Sequence, residues 1–279
     1  MNKTPIEYLT HTWSPISMRC TPVSSGCKNC WHLEAADRLA LNPLFSQEIQ
    51  DAYSGKAPPL LVSSRLADPL RRRKHAIIGA QFMGDLFHED IPIGTIAAIH
   101  GIIAFCQEHT FIILTKRIER ALEFYNAYHD GEYHRNERWW RNEACLKLGP
   151  SQTRGIRLRE PPARLPLPNL WFGVSVENQR YDHRILALKD IPAAVRFISF
   201  EPLLGPFDFL PPWLRYIDWA ICGCESGPGR RPTEREDIRH LKNQCVSADI
   251  PFFLKQMDVA GAVCSMPKLD GETWEQYPK

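Results

Sequence analysis

Cys20, Cys27 and Cys30 stand within eleven residues, spaced C-x6-C-x2-C, in a stretch that Pro15, Pro22 and Gly26 keep out of regular structure. Thiolates converging from a loop suit zinc or iron far better than magnesium. A closed structural zinc site uses four ligands, whereas three leave a coordination position open. A four-iron cluster held by three thiolates keeps one iron uncovered, and a small molecule offering an amine and a carboxylate could chelate it. Such a ligand needs charged and hydrogen-bonding partners close by, so the elements that could supply them matter next.

The 279-residue chain is 44% hydrophobic and 24% charged, enough apolar material for one full core. The expected organisation is a single α/β domain over 1–279 with an insertion at 129–168 and a C-terminal tail at 257–279. A net charge of +2 neither demands nor excludes a nucleic-acid partner. The start, Met1–Tyr8, has no apolar signal core, and no apolar run is long enough to span a bilayer, so a cytoplasmic protein without membrane contact is expected. In that compartment the nine cysteines read as thiols or ligands, not disulfides. Cys222 and Cys224 alternate in a strand-like run, which would aim both at one sheet face. Cys106, Cys145, Cys245 and Cys264 are isolated and read as small buried hydrophobes.

After the cysteine loop, residues 32–42 read as a helix stopped by Pro43. The basic run Arg71-Arg72-Arg73-Lys74 reads as a solvated surface before a phosphate site. An alternation follows. Strand runs at 76–83, 111–114, 170–176, 195–200, 217–222 and 251–254 are separated by helical patterns at 93–108, 117–128, 180–189 and 233–247. The last helix carries a capping-box pattern, Thr233 with Glu236. Segment 129–168 breaks the rhythm with Trp139-Trp140, eight Arg or Lys against five Asp or Glu, and Pro161-Pro162, Pro166 and Pro168. Its length marks it as a lid or binding loop. Arg135, Arg138 and Arg141 beside the tryptophans suit stacking on bases and pairing with phosphates.

Short apolar runs separated by helices predict a parallel sheet covered on both faces, about seven strands with the run before the cysteines. A partial or complete (β/α) barrel fits, because the strands end in polar residues: Asp85, Lys116, Ser175 with Glu177 and Asn178, Glu201, Glu225 and Lys255. Barrels build their active sites at that end. Asp85 could accept from an ammonium, and Ser175, Glu177 and Asn178 suit ribose hydroxyls. Helix capping is the plain alternative for several of them.

The blocks Trp13-Ser-Pro, Cys20-x6-Cys27-Lys-Asn-Cys30, Gly84-Asp85-Leu-Phe-His, Leu114-Thr-Lys-Arg117, Gly173-Val-Ser-Val-Glu177-Asn-Gln179, Glu201-Pro-Leu-Leu-Gly-Pro206, Glu225-Ser-Gly and Phe253-Leu-Lys-Gln256 resemble the phage- and prophage-associated three-Cys-motif family of unknown function. That family is similar in layout to radical S-adenosylmethionine (SAM) enzymes, most suggestively spore photoproduct lyase. The resemblance implies a radical-SAM-like barrel with a 4Fe–4S cluster on Cys20, Cys27 and Cys30. It implies SAM on the open iron, with Gly84 and Asp85 near its amino group and Ser175 and Glu177 near its ribose. SAM would be cleaved reductively to a 5′-deoxyadenosyl radical, with a flavodoxin or ferredoxin as electron donor. The usual spacing is C-x3-C-x2-C with an aromatic before the last cysteine; here the loop is longer and Asn29 takes that place, with Trp31 following. Lys116, Glu201, Glu225 and Lys255 remain as substrate contacts or proton donors, and the substrate expected is a nucleobase or nucleic acid. Two other readings stay open: a zinc-bound nucleic-acid-interaction module with His32 as fourth ligand, and a zinc-dependent barrel hydrolase using metal-bound water.

Overall fold

In the computed structural model, which describes residues 1–126, 133–156, 158, 165–227 and 229–279, the chain builds a mixed α/β architecture around one eight-stranded sheet. Seven strands are parallel and lie side by side in chain order: β1 (His11–Trp13), β2 (Ile77–Ala80), β3 (Thr110–Thr115), β4 (Leu167–Ser175), β5 (Ala193–Phe200), β6 (Trp219–Cys222) and β7 (Phe252–Leu254). The eighth, Asn2–Lys3, pairs antiparallel with β1 at the edge. β7 and this edge strand end the sheet without pairing to each other.

Consecutive order with right-handed crossovers puts the helices that connect the parallel strands on one face. Period-2 alternation then divides each strand between two cores. Phe111, Ile113, Phe172, Val174, Ile198 and Phe200 join the large core under the helices. Ile112, Phe197, Trp219, Ile221 and Phe253 point the other way, into a smaller aromatic core. The sheet curls around that second core. Tyr8, just ahead of β1, meets Trp219 and Phe253 edge-on with ring centroids 5.7 and 5.8 Å away.

The helices flanking the site are α1 (Trp31–Ala40), α2 (Ile93–Phe105), α3 (Ile118–Asn126), α4 (Tyr133–Lys147), α5 (His183–Leu188) and α6 (Arg235–Ser247). α2 is apolar around nearly its whole circumference, as a helix with no solvent face must be. α4, from the predicted insertion, covers it. Trp140 is fully buried against His100 and Phe124, and Trp139 also packs on Phe124, so this pair belongs to the core and is no open stacking platform. His100 is a satisfied core histidine: Nδ1 donates to the Ile96 carbonyl at 2.8 Å and Nε2 meets the Tyr125 hydroxyl at 2.7 Å. Residues 129–132, 157 and 159–164 of the insertion, with Pro161 and Pro162, and the Arg135 side chain lie outside the described residues.

Other expectations are revised. Thr233 does not cap α6. Its hydroxyl donates to the Leu203 carbonyl at 3.0 Å and Glu234 takes the cap position, because the loop after β5 offers an otherwise unmet acceptor. The segment after β7 forms two small hairpins, and its end runs back along β7: the Leu254 amide donates to the Trp274 carbonyl, and Tyr277 stacks on Trp219 at 5.5 Å. It therefore covers a sheet edge that would otherwise expose unpaired backbone. No helix among the described residues is long and apolar enough to cross a membrane.

Gly101 of α2 sits where a Cβ would lie 2.1 Å from the Trp140 carbonyl oxygen of α4. Replacing it by Ala gains about 1 kcal/mol of helix propensity. Overpacking against backbone, which cannot rotate away, costs about 3 kcal/mol. Gly101→Ala should lower the thermal midpoint by roughly 4–8 °C, checked by calorimetry.

Candidate active site

β1 delivers the chain to the carboxyl ends of the strands, where residues 18–30 cross them as a loop. Cys20 lies in the irregular stretch ahead of a 3-10 turn (Ser25–Cys27) that Cys27 closes, and Cys30 is the extended residue before the first turn of α1. All nine cysteines are free thiols. Cys20, Cys27 and Cys30 line one cavity of about 200 Å³ together with Asp85, Lys116, Ser175, Glu201, Glu225 and Lys255. All seven parallel strands thus send a polar residue to one place. Among the described residues, no three His, Cys, Asp or Glu side chains are arranged to close on a single metal ion.

What holds the loop there is charge. Glu177, fully buried just past β4, meets Lys116 Nζ at 3.1 Å and Arg184 of α5 at 3.2 Å, and accepts from the Ser24 hydroxyl. Burial alone would raise its pKa, but Lys116, Ser24 and Arg184 outweigh that and hold the carboxyl below the usual glutamate range. Gly26 lies directly on it, and a Cβ there would come within 2.5 Å of its carboxylate oxygen. Glu177 is therefore the clamp under the cysteine turn and does not line the cavity, so the expected ribose contact is corrected. Asn178 is corrected likewise: its side chain accepts from the Arg180 amide and caps the next 3-10 turn.

A second carboxylate grips the loop from the other side. Glu225 accepts from Asn29 Nδ2 at 2.8 Å and from the Arg231 amide at 2.7 Å, and forks with the Arg231 guanidinium. Burial works against its charge, yet Arg231 and Asn29 keep its pKa lowered. Arg231 also donates to the Ser25 carbonyl at 2.8 Å. Asn29, which stands where an aromatic was expected, is thus the loop's tie to β6. Ser25 further donates its amide to the Tyr181 hydroxyl at 2.9 Å.

Asp85 has its acceptor capacity filled. Oδ1 takes the Thr115 hydroxyl at 2.7 Å and the Phe87 amide at 2.9 Å; Oδ2 takes the Lys116 amide at 3.0 Å and Arg117 at 3.4 Å. Four donors saturate a carboxylate, so Asp85 staples β2 to β3 and has no lone pair left for a ligand ammonium. Gly84 beside it needs its left-handed φ of 112°, and Met18 leaves no room for a Cβ. Arg117 spans from this staple to the loop, donating to the Thr21 carbonyl at 3.0 Å and lying 3.6 Å from Cys20 Sγ. Burial nevertheless pushes the Cys20 thiol up to about 11, partly offset by Arg117.

Two ammonium groups face the cavity. Lys116 rests on Glu177, and Lys255 lies 2.7 Å from Glu201 Oε1. Burial disfavours the Lys255 charge, but Glu201 more than compensates and its pKa is raised. Glu201 Oε2 accepts from Ser199 at 3.0 Å and Tyr8 at 3.3 Å. Burial and Glu201 push the Tyr8 hydroxyl well above its ordinary value.

Cys222 and Cys224 do not share a face. β6 ends at Cys222, which packs under the helices, whereas Cys224 lies beyond Gly223 and lines the cavity. Of the isolated cysteines, Cys106 and Cys245 are buried, but Cys145 and Cys264 are exposed. Ser24 and Tyr181 carry no local sequence signal, since their partners lie about 150 residues along the chain, while Arg184 and Arg231 pair with carboxylates seven and six residues before them across irregular turns that no periodicity marks. Arg117 alone sits in a quoted block.

A model of the family described as protein of unknown function (DUF5131) matches residues 3–278. No curated protein and no solved structure matches the chain.

Since folding depresses the Glu177 pKa, its stabilisation is present above the ordinary glutamate value of 4.5 and is lost as pH falls through the lower folded value. Glu177→Gln, which strands two cations, should cost about 3 kcal/mol at neutral pH. The gap from wild type should narrow as pH falls below the ordinary glutamate value of 4.5, measured by urea unfolding at neutral pH and across that acid range.

Proposed function

The chain belongs to the DUF5131 family of proteins of unknown function, and we propose that it is a radical SAM enzyme whose cluster is held by Cys20, Cys27 and Cys30. The observation that carries this reading is that three free thiols line a cavity shared with polar residues from the carboxyl end of every parallel strand. The consecutive strand order and the curl that brings Tyr8 onto Trp219 suit a partial (β/α) barrel.

The donor set fits an iron–sulfur cluster better than a lone ion. A cubane spreads its ligands over several irons, whereas one zinc needs four donors around a point, and no such set occurs among the described residues. His32, the candidate fourth zinc ligand, has Nε2 engaged by the Cys20 amide at 3.3 Å. Burial lowers its pKa to about 4, so it stays neutral. Cys20, Cys27 and Cys30 would hold such a cluster, and with SAM it would supply one-electron reductive chemistry for taking a hydrogen atom from a substrate.

The chain's own residues have separable tasks. Glu177, Glu225 and Asp85 are positioning residues that fix the loop and strand ends. Lys116 and Lys255 present positive charge for the carboxylate end of an amino-acid-bearing cofactor or for substrate anions. Ser175 offers a hydroxyl beside them. The Lys255–Glu201 pair can exchange a proton with a bound group, with Tyr8 and Ser199 steadying the carboxylate.

Protein purified without oxygen should be brown, with about four irons and four sulfides per chain, and should convert SAM to 5′-deoxyadenosine when reduced. Cys27→Ala should lose both the iron and the conversion. A colourless protein with one zinc per chain would overturn this assignment.

A further inference from the structure

Beside the cysteine cavity lies a larger groove of about 840 Å³, and the two share walls at Trp31, Phe82, Lys255 and Gln256. The groove runs along the seam between the first strand and the end of the last, where the Ser265 hydroxyl, donating to Glu7, bridges the two sides. Its size suits a bound organic molecule. The walls carry aromatic faces. Trp31 is 46% exposed, and half-buried Phe45 stacks on Tyr53 at 6.2 Å with the Arg65 guanidinium over its ring at 5.5 Å.

At its outer end the groove meets a basic depression of about 370 Å³ lined by Arg71, Arg72, Arg73 and Lys74, through common walls at Met1 and Asp68. Asp68, the acid in that depression, is already paired with the terminal ammonium and lies 3.8 Å from Arg71. Arg73 and Lys74 are exposed and form no ion pair among the described residues, and Arg72 Nε is buried without a partner. A solvated face would leave four cations anywhere on the surface. Here they stand at the mouth of an aromatic groove that shares walls with the cysteine cavity.

We propose that this groove binds a single-stranded nucleic acid, with its phosphates on Arg71–Lys74 and its bases against Trp31 and Phe82 beside the cysteine cavity. Four adjacent cations match several phosphates in a row, which a strand supplies and a single nucleotide does not. Aromatic faces accept any base, so stacking needs no sequence code. This assignment moves nucleic-acid binding away from Trp139 and Trp140 on α4. It rests on reading the cysteine cavity as the reaction centre only for calling the strand a substrate; the binding itself stands apart.

Anisotropy with a labelled oligothymidylate, run at low and high salt on samples of measured iron content, tests it. Wild type should bind in a salt-dependent way. Arg73→Ala/Lys74→Ala should weaken binding about tenfold and lower the salt slope by about two, whereas Arg138→Ala/Lys147→Ala on α4 should not change it. A strand carrying 5-bromouracil should crosslink to peptides containing Trp31 or Phe82. No salt-dependent binding, equal loss in both double variants, or crosslinks confined to α4 would overturn the groove. Binding retained by an iron-free, zinc-containing protein would support the groove while removing the radical reading alone.

Discussion

A buried carboxylate must be matched by cations and hydrogen bonds or it is not ionised at all. Glu177 meets that demand with Lys116, Arg184 and Ser24, which come from β3, α5 and the cysteine loop. The pairing thereby makes three separate parts of the chain answer to one point. Glu225 repeats the device on the opposite side through Asn29 and Arg231. A thirteen-residue irregular loop has little hydrophobic surface with which to hold itself, so these paired charges, with Gly26 pressed onto Glu177, decide where the thiols sit.

The sheet supplies the platform. Because the parallel strands lie in chain order, the helices that connect them fall on one side and the other face has to bury itself by curling. Large aromatic side chains fill the concave side up to mid-strand, and smaller polar ones replace them toward the carboxyl ends. The cavity is the space left above that aromatic plug. The C-terminal segment finishes the arrangement by lying along β7 and stacking Tyr277 onto Trp219.

Polar residues around the cavity divide by whether their hydrogen-bonding capacity is spent. Asp85, Glu177 and Glu225 accept from several donors each and act as brackets. Lys116, Lys255 and Glu201 keep an open side toward the cavity. A site made this way is preorganised: its charges are already fixed in place before a ligand arrives, so little reorganisation accompanies binding.

Much was legible in the residues alone. Apolar runs of strand length and amphipathic stretches depend on local side-chain period, and they located the seven parallel strands and five of the helices to within a few residues, while the helix Tyr133–Lys147 lies in a stretch read as a loop insertion. The same periodicity put Cys20, Cys27, Cys30, Asp85, Lys116, Ser175, Glu201, Glu225 and Lys255 at one end of the sheet, where they meet. Local pattern could not distinguish a carboxylate facing a cavity from one serving as a bracket, nor tell that Trp140 is core and Asn178 a cap. Several of these roles depend on partners more than a hundred residues away, such as Ser24 with Glu177, Asn29 with Glu225 and Tyr8 with Glu201, whereas Asn178 caps through Arg180 only two residues on. Strand register and the curl of the sheet set such pairings, and neither leaves a trace in the spacing of neighbouring residues.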